Sequence, residues 1–223
     1  FLREGSSNYQ LIFHRWIIEL MYFTKNEDVN FHRLLSNISK KLFIGSNFFL
    51  YDEKKIKVVN FGDVSPDFKS EWINSILSFN REKKNIECWS NLFTKNKNNK
   101  LILKNHSKLK KNIELFPNSG WYKIKKFNHK IFFKLSEIEP KNYPGHFHYD
   151  QGHFIYLYKD NEVFSDTGRL NYLNLNYIFA ENHNSITLND LGLIPNKSQL
   201  PFKYLISKNK IKIFNKKNYL EIR

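Results

Sequence analysis

Residues 143–168 read Tyr-Pro-Gly-His-Phe-His-Tyr-Asp-Gln-Gly-His-Phe-Ile-Tyr-Leu-Tyr-Lys-Asp-Asn-Glu-Val-Phe-Ser-Asp-Thr-Gly. His146, His148 and His153, three of the eight histidines in the chain, thus fall beside the acids Asp150 and Asp166. No packing rule asks for that concentration. Imidazole titrates nearest working pH, with an unperturbed pKa of about 6.5, and in its neutral form is a common metal ligand. Proton transfer and metal binding are therefore the two chemistries to weigh. Gly145 and Gly152 punctuate the run, and a further His183-Asn184-Ser185 follows it.

The elements that must position these residues divide the chain in two. Residues 7–24 carry helix signals: Ser7 followed by Gln10 is a capping-box pattern, and Leu11, Ile12, Trp16, Leu20 and Met21 recur at helical spacing. A second helix is expected over 30–43, with Phe31, Leu34, Leu35, Ile38 and Leu42 on one face and Gly45 as its stop. Residues 48–61 read as an extended excursion, 62–67 as a turn, and 70–80 as a third helix with Trp72, Ile73, Ile76 and Leu77 buried. From Ser119 onward the pattern changes to short apolar or alternating runs at 121–124, 130–135, 153–158, 162–165, 185–188, 204–206, 210–214 and 219–222. Hairpin turns are expected at 159–162 and 207–210. The fold class is α+β in two domains, helical over 1–95 and β-sandwich over 96–223, with the change of character inside the Lys/Asn-rich segment 94–118.

Composition bounds the rest. The 223 residues are 41% hydrophobic, enough for a real core. The single cysteine, Cys88, excludes an internal disulfide, and no apolar run approaches the roughly 20 residues of a membrane span. The first residue is Phe, and the opening Phe-Leu-Arg-Glu-Gly-Ser-Ser lacks an apolar signal core, so the sequence reads as a piece of a longer protein. A net charge of +15 favours polyanions. That covers acidic polysaccharide and nucleic acid alike, with a simply solvated surface as the competing reading, and the Lys/Asn tracts at 95–100 and 108–112, which lack the interleaved aromatics of a base-stacking platform, read better as loops.

The ordered set His146-x-His148-x-Asp150, a strand over 154–158, Asp166-x-Gly168, Tyr172 and His183-Asn184-Ser185 resembles the heparinase II/III family of polysaccharide lyases. That resemblance implies an N-terminal α/α toroid, of which the chain holds the C-terminal end, followed by an antiparallel β-sandwich, with the active site between them. The segment from Arg3 to Gln10 resembles the toroid stretch that supplies the catalytic tyrosine, and Phe61-Gly62-Asp63 resembles a turn after it. On that comparison the family's active-site Asn or His would lie upstream of Phe1, and the isolated piece is expected to be weak or inactive.

The resemblance implies lyase chemistry on uronic-acid-containing glycans by β-elimination. The C5 proton is removed, the sugar carboxylate neutralised and the leaving oxygen protonated. Tyr9 would be the main base and acid, with His146 as second base or helper. A tyrosine near pKa 10 serves as base only where positive charge or hydrogen-bond donors stabilise its phenolate. His148, Asp166 and His183 correspond to positions that bind zinc in family members, and two imidazoles with a carboxylate suit zinc. The alternative is a hydrogen-bonded His/Asp cluster without metal. A plain hairpin would hold Asp166 about 20 Å from His148 at strand rise, so the chain must turn back near Gly152 for the three to meet. His14, Arg15 and Asp150 are the candidate substrate contacts, Asp150 also as an acceptor that orients a histidine, while His153 reads as a half-buried strand residue. Family context further suggests a bacterial periplasmic or secreted setting. Ser185 stands where members carry Thr, and 178–181 read Ile-Phe-Ala-Glu where an Arg is frequent. Both departures keep open a relative that binds an anionic glycan, or serves surface-polysaccharide biosynthesis, without cutting.

Overall fold

A computed structural model describes residues 5–52, 57–65, 112–135, 148–169, 178–187, 192, 213–216 and 219–222. The helix expected at 70–80, the strand at 204–206, Tyr172 and the candidate base His146 lie outside the described residues.

Helix α1 spans Ser7–Thr24. Its cap is Ser6, whose hydroxyl accepts the Asn8 N–H at 3.2 Å, one residue before the expected box. Ser7 and Gln10 are used across the fold instead. The Ser7 hydroxyl accepts the Phe61 N–H at 2.9 Å, and the Gln10 amide donates to the Leu42 carbonyl at 3.1 Å. Helix α2 spans Val29–Phe48, capped by Asp28, whose carboxylate accepts the Phe31 N–H at 2.9 Å. It therefore runs through Gly45 rather than stopping there. A Cβ at Gly45 would lie 2.9 Å from the Gln10 side chain, so this glycine lets the two helices approach closely. The short 25–28 connection makes them antiparallel neighbours, packed through Ile17, Met21, Leu35 and Leu42.

After α2 the expected extended excursion forms a small antiparallel ribbon, β1 (Leu50–Asp52) with β2 (Lys57–Val58). The main sheet is a meander in which each strand pairs antiparallel with the next: β3 (Ile113–Phe116), β4 (Trp121–Lys126), β5 (His129–Lys134), β6 (Phe154–Tyr158) and β7 (Asn161–Phe164). Strand β3 was not expected, because its four residues sit at the end of the Lys/Asn-rich tract and are too short to show a period. Strands β8 (Ile213–Lys216) and β9 (Tyr219–Ile222) form a second ribbon. Trp121 and Tyr122 point to opposite faces of β4 and both are buried, so the sheet is covered on both sides there. Among the described residues the architecture is two helices, one five-stranded antiparallel sheet and two ribbons, which is α+β.

The helical and β parts share a core. Phe48 and Phe49 at the end of α2, with Val59 and Phe61, pack on Trp121, Phe132, Ile155 and Leu157. Each fully buried side chain of this size contributes roughly 1.5–3 kcal/mol. Lys123 is buried in the same interface, where it pairs with Glu114 at 3.1 Å and donates to the Phe48 carbonyl, the electron-rich end of α2. Burial pushes this lysine down to about 7, only partly offset by Glu114.

Candidate functional site

The site is assembled at the β5–β6–β7 end of the sheet, where three loops meet. The first is the turn before β6. Gly152 adopts φ 79°, a left-handed conformation natural to glycine, and the His153 N–H bonds the Asp150 carbonyl at 3.0 Å. The chain thus turns back near Gly152, which brings His148 to the cluster. The second loop follows β7. A register shift between Tyr156 and Leu157 displaces the strand pairing by one residue before the chain reaches Asp166. The third is the short 3₁₀ turn Ala180–Asn182, at whose end His183 stands.

Asn184 clamps these loops together. Its side-chain amide donates to the Phe154 carbonyl at 3.1 Å and the Ser165 carbonyl at 2.8 Å, and its backbone N–H donates to His153 Nδ1 at 2.9 Å. The ring of His153 lies 4.5 Å from Phe61 and 5.1 Å from His183, centroid to centroid. His148 is buried beside His183 at 5.2 Å.

Asp166 is the hub. Its Oδ2 accepts the Gly62 N–H at 2.8 Å and lies 3.1 Å from His153 Nε2. Its Oδ1 accepts the Gly168 N–H at 3.0 Å and lies 3.5 Å from His183 Nδ1. Burial alone would raise this carboxyl, but the contacts of His153 and His183 outweigh it and hold the group far below the usual carboxylate range. His148 is pushed down to about 4 by burial, against the pull of Asp150 and Asp166, so it is neutral and able to ligate. Neither ring nitrogen of His183 has an aligned hydrogen-bond partner among the described residues, although its side chain is fully buried. An orphaned buried imidazole is costly unless something else occupies its lone pair. Two imidazoles and a carboxylate, as His148, Asp166 and His183 offer, are donors of the kind zinc takes. Among the described residues, the trio whose ligand atoms lie within 4.8 Å of one another is His153, Asp166 and His183, with His148 outside it.

The sequence-predicted residues are sorted by this geometry. Of the expected metal trio, His183 lies beside both Asp166, at 3.5 Å, and His148, 5.2 Å between ring centroids, while the place next to Asp166 expected for His148 is taken by His153. His14 sits wholly buried between the helices, its Nδ1 3.0 Å from the Ser46 hydroxyl and its Nε2 3.2 Å from Ser39. Arg15 is buried with Glu19 at 2.9 Å. Asp150 is wholly buried and accepts two bonds from the Lys134 ammonium at 2.6 and 2.8 Å, and Lys134 also donates to the Gly5 carbonyl at 3.3 Å. All three expected substrate contacts are thus engaged inside the protein. Tyr9 stands half-buried on the first turn of α1.

That first turn is latched to the cluster through 61–65. The Ser6 hydroxyl donates to the Asp63 carbonyl at 2.7 Å, and the Ser7 N–H to the Phe61 carbonyl at 2.9 Å. Gly62 adopts φ 73°, and a Cβ there would meet the Gly5 carbonyl at 2.6 Å. The other side of this turn gives Asp166 the Gly62 N–H, while Arg169 donates to the Ser65 hydroxyl at 2.6 Å. Sequence reasoning named this turn but missed its contacts, and missed the parts played by His153, Asn184 and Lys134. His153, in the histidine-rich run, and Asn184, inside the His-Asn-Ser motif, left a signal, and Lys134 left none. An open cleft of about 440 Å³ between α2 and the β3–β4 connection, bordered by Lys41, Gly45, Phe116 and Pro117, touches none of these residues.

No helix among the described residues is long and apolar enough to cross a membrane. No curated protein and no solved structure matches the chain. Residues 108–199 match the family model described as heparinase II/III-like, C-terminal, a span that includes β3 to β7 and the whole histidine cluster. That match covers fewer than half of the residues, and over it the chain is similar to heparinase II/III-like C-terminal domains, a kind of domain that points to polysaccharide lyases.

Proposed function

We propose that the chain is the C-terminal part of a polysaccharide lyase that cleaves uronic-acid-containing acidic glycans by β-elimination. The observation that carries this reading is the latch: the turn that holds the start of Tyr9's helix also donates the Gly62 N–H to Asp166, inside the family-matched span. Tyr9, as phenolate, takes the C5 proton and returns a proton to the leaving oxygen at C4, and His146 assists as a second base. The chain's charge of +15 attracts the polyanionic substrate. His148, Asp166 and His183 would hold zinc, which supplies a structural cross-link between the three loops.

A second reading is a relative that binds an acidic glycan without cutting it. It draws on the burial of His14, Arg15 and Asp150 and on the sequence Ile-Phe-Ala-Glu at 178–181. The two are separated by ultraviolet detection of unsaturated uronic ends, using the full-length protein on a panel of acidic polysaccharides. Cleavage of one substrate, lowered about 10²–10⁴-fold in kcat by Tyr9→Phe, supports the lyase. Binding without any new absorbance supports the second reading.

A further inference from the structure

The compact trio invites His153 as a metal ligand, but its hydrogen bonds argue otherwise. A backbone N–H can only donate, so Asn184 N–H at 2.9 Å fixes His153 Nδ1 as an acceptor without a proton. In the neutral ring the proton is then on Nε2, which faces Asp166 Oδ2 at 3.1 Å. Ligation through Nε2 would strip that proton and leave an imidazolate. The N–H also points somewhat aside from the oxygen, so the contact is a close electrostatic one rather than an aligned hydrogen bond. On Asp166, Oδ2 is already engaged by Gly62 and His153, whereas Oδ1 has one donor, Gly168, and faces His183.

The geometry points to His153 as a positioning residue: its Nε2–H and the Gly62 N–H together hold Asp166 Oδ2, so that Oδ1 is the oxygen presented to a metal shared with His148 and His183. This deepens the lyase reading and rests on its zinc site. It also makes Asn184 a tautomer lock, since the amide that clamps the loops sets which nitrogen of His153 carries the proton. Phe61, against the other side of the ring, fixes its orientation. Outer partners of this kind typically alter metal affinity 10–100-fold, short of abolishing it.

The test combines nitrogen-15 NMR of the histidine rings with zinc titration of the 223-residue chain. Expected is the Nε2–H tautomer of His153 in both the zinc-free and zinc-loaded protein, with metal-induced shifts confined to His148 and His183. His153→Ala should weaken zinc about 10–100-fold while keeping one equivalent, and His153→Asn, which retains an N–H donor, should recover part of the loss. His148→Ala should lose the equivalent. A metal-induced shift at His153 Nε2, or loss of the equivalent in both His153 variants, would overturn the assignment. If the native chain takes up no zinc, the zinc site fails, and the zinc-free spectrum decides what is left: Nε2–H upholds His153 as the residue that fixes Asp166, and Nδ1–H overturns it.

Discussion

Among the described residues, histidines are buried in two places, and their surroundings differ in kind. Between α1 and α2, both ring nitrogens of His14 face serine hydroxyls, Ser46 and Ser39, which are neutral partners. At the β5–β6–β7 end, His153 and His183 flank the Asp166 carboxylate with His148 against His183, and the nitrogens of His183 have no aligned partner among the described residues. A buried polar group satisfied by neutral neighbours stabilises a fold and asks for nothing more. Titratable groups gathered around a buried acid, with shifts set by burial and by that charge, mark a functional-site candidate. The contrast separates a packing histidine from candidate ligands better than any count of histidines.

The sharpest way to break the contrast is a paired metal titration. His183→Ala should abolish stoichiometric zinc uptake, and His14→Ala should leave it unchanged. Equal uptake in the two variants would mean that the cluster is a hydrogen-bonded network without metal. Next in size is the buried pair beneath the cluster. Asp150→Ala takes the carboxylate from the buried Lys134 ammonium, which keeps the Gly5 carbonyl at 3.3 Å, and should cost about 3–5 kcal/mol in urea unfolding. A loss under about 1 kcal/mol would place Asp150 outside the structural frame and revive it as a substrate contact.

Gly62→Ala should follow. The left-handed backbone and the approach to the Gly5 carbonyl leave no room for a methyl group, so a loss of about 1–3 kcal/mol is expected. If the latch matters, lyase activity should drop with it even well below the melting temperature.

The smallest and most specific effect concerns pH. Burial pushes His14 down to about 3, below its ordinary value of 6.5, so the unfolded chain takes up the proton first. The stabilisation from neutral His14 is fully present above pH 6.5 and drains away as pH falls toward 3, at up to about 1.4 kcal/mol per unit. His14→Gln should therefore flatten urea midpoints across that window. An unchanged slope would show that His14 is hydrated, and the contrast between the two regions would weaken.

The sequence by itself determined the local elements and the site's cast. The 3.6-residue spacing placed α1 at the residues it occupies, the alternation after Ser119 placed β4 to β7, and the ordered His, Asp and Asn motifs marked the loops that converge. It misjudged Gly45, because a glycine that ends a helix and one that lets a second helix approach look alike until the partner, Gln10, is known. It placed Asp150 and His14 at the substrate for the same reason: a polar side chain shows its chemistry in the sequence, but not whether Lys134 or two serines have already claimed it. Tertiary structure alone decided that Asp166 takes a backbone N–H from Gly62, 104 residues away, and that Asn184 sets the tautomer of His153. Backbone donors are present at nearly every position and leave no trace in residue type. Which of them meets which acceptor is fixed only when the turns, the register shift before Asp166 and the shared aromatic core bring distant segments together.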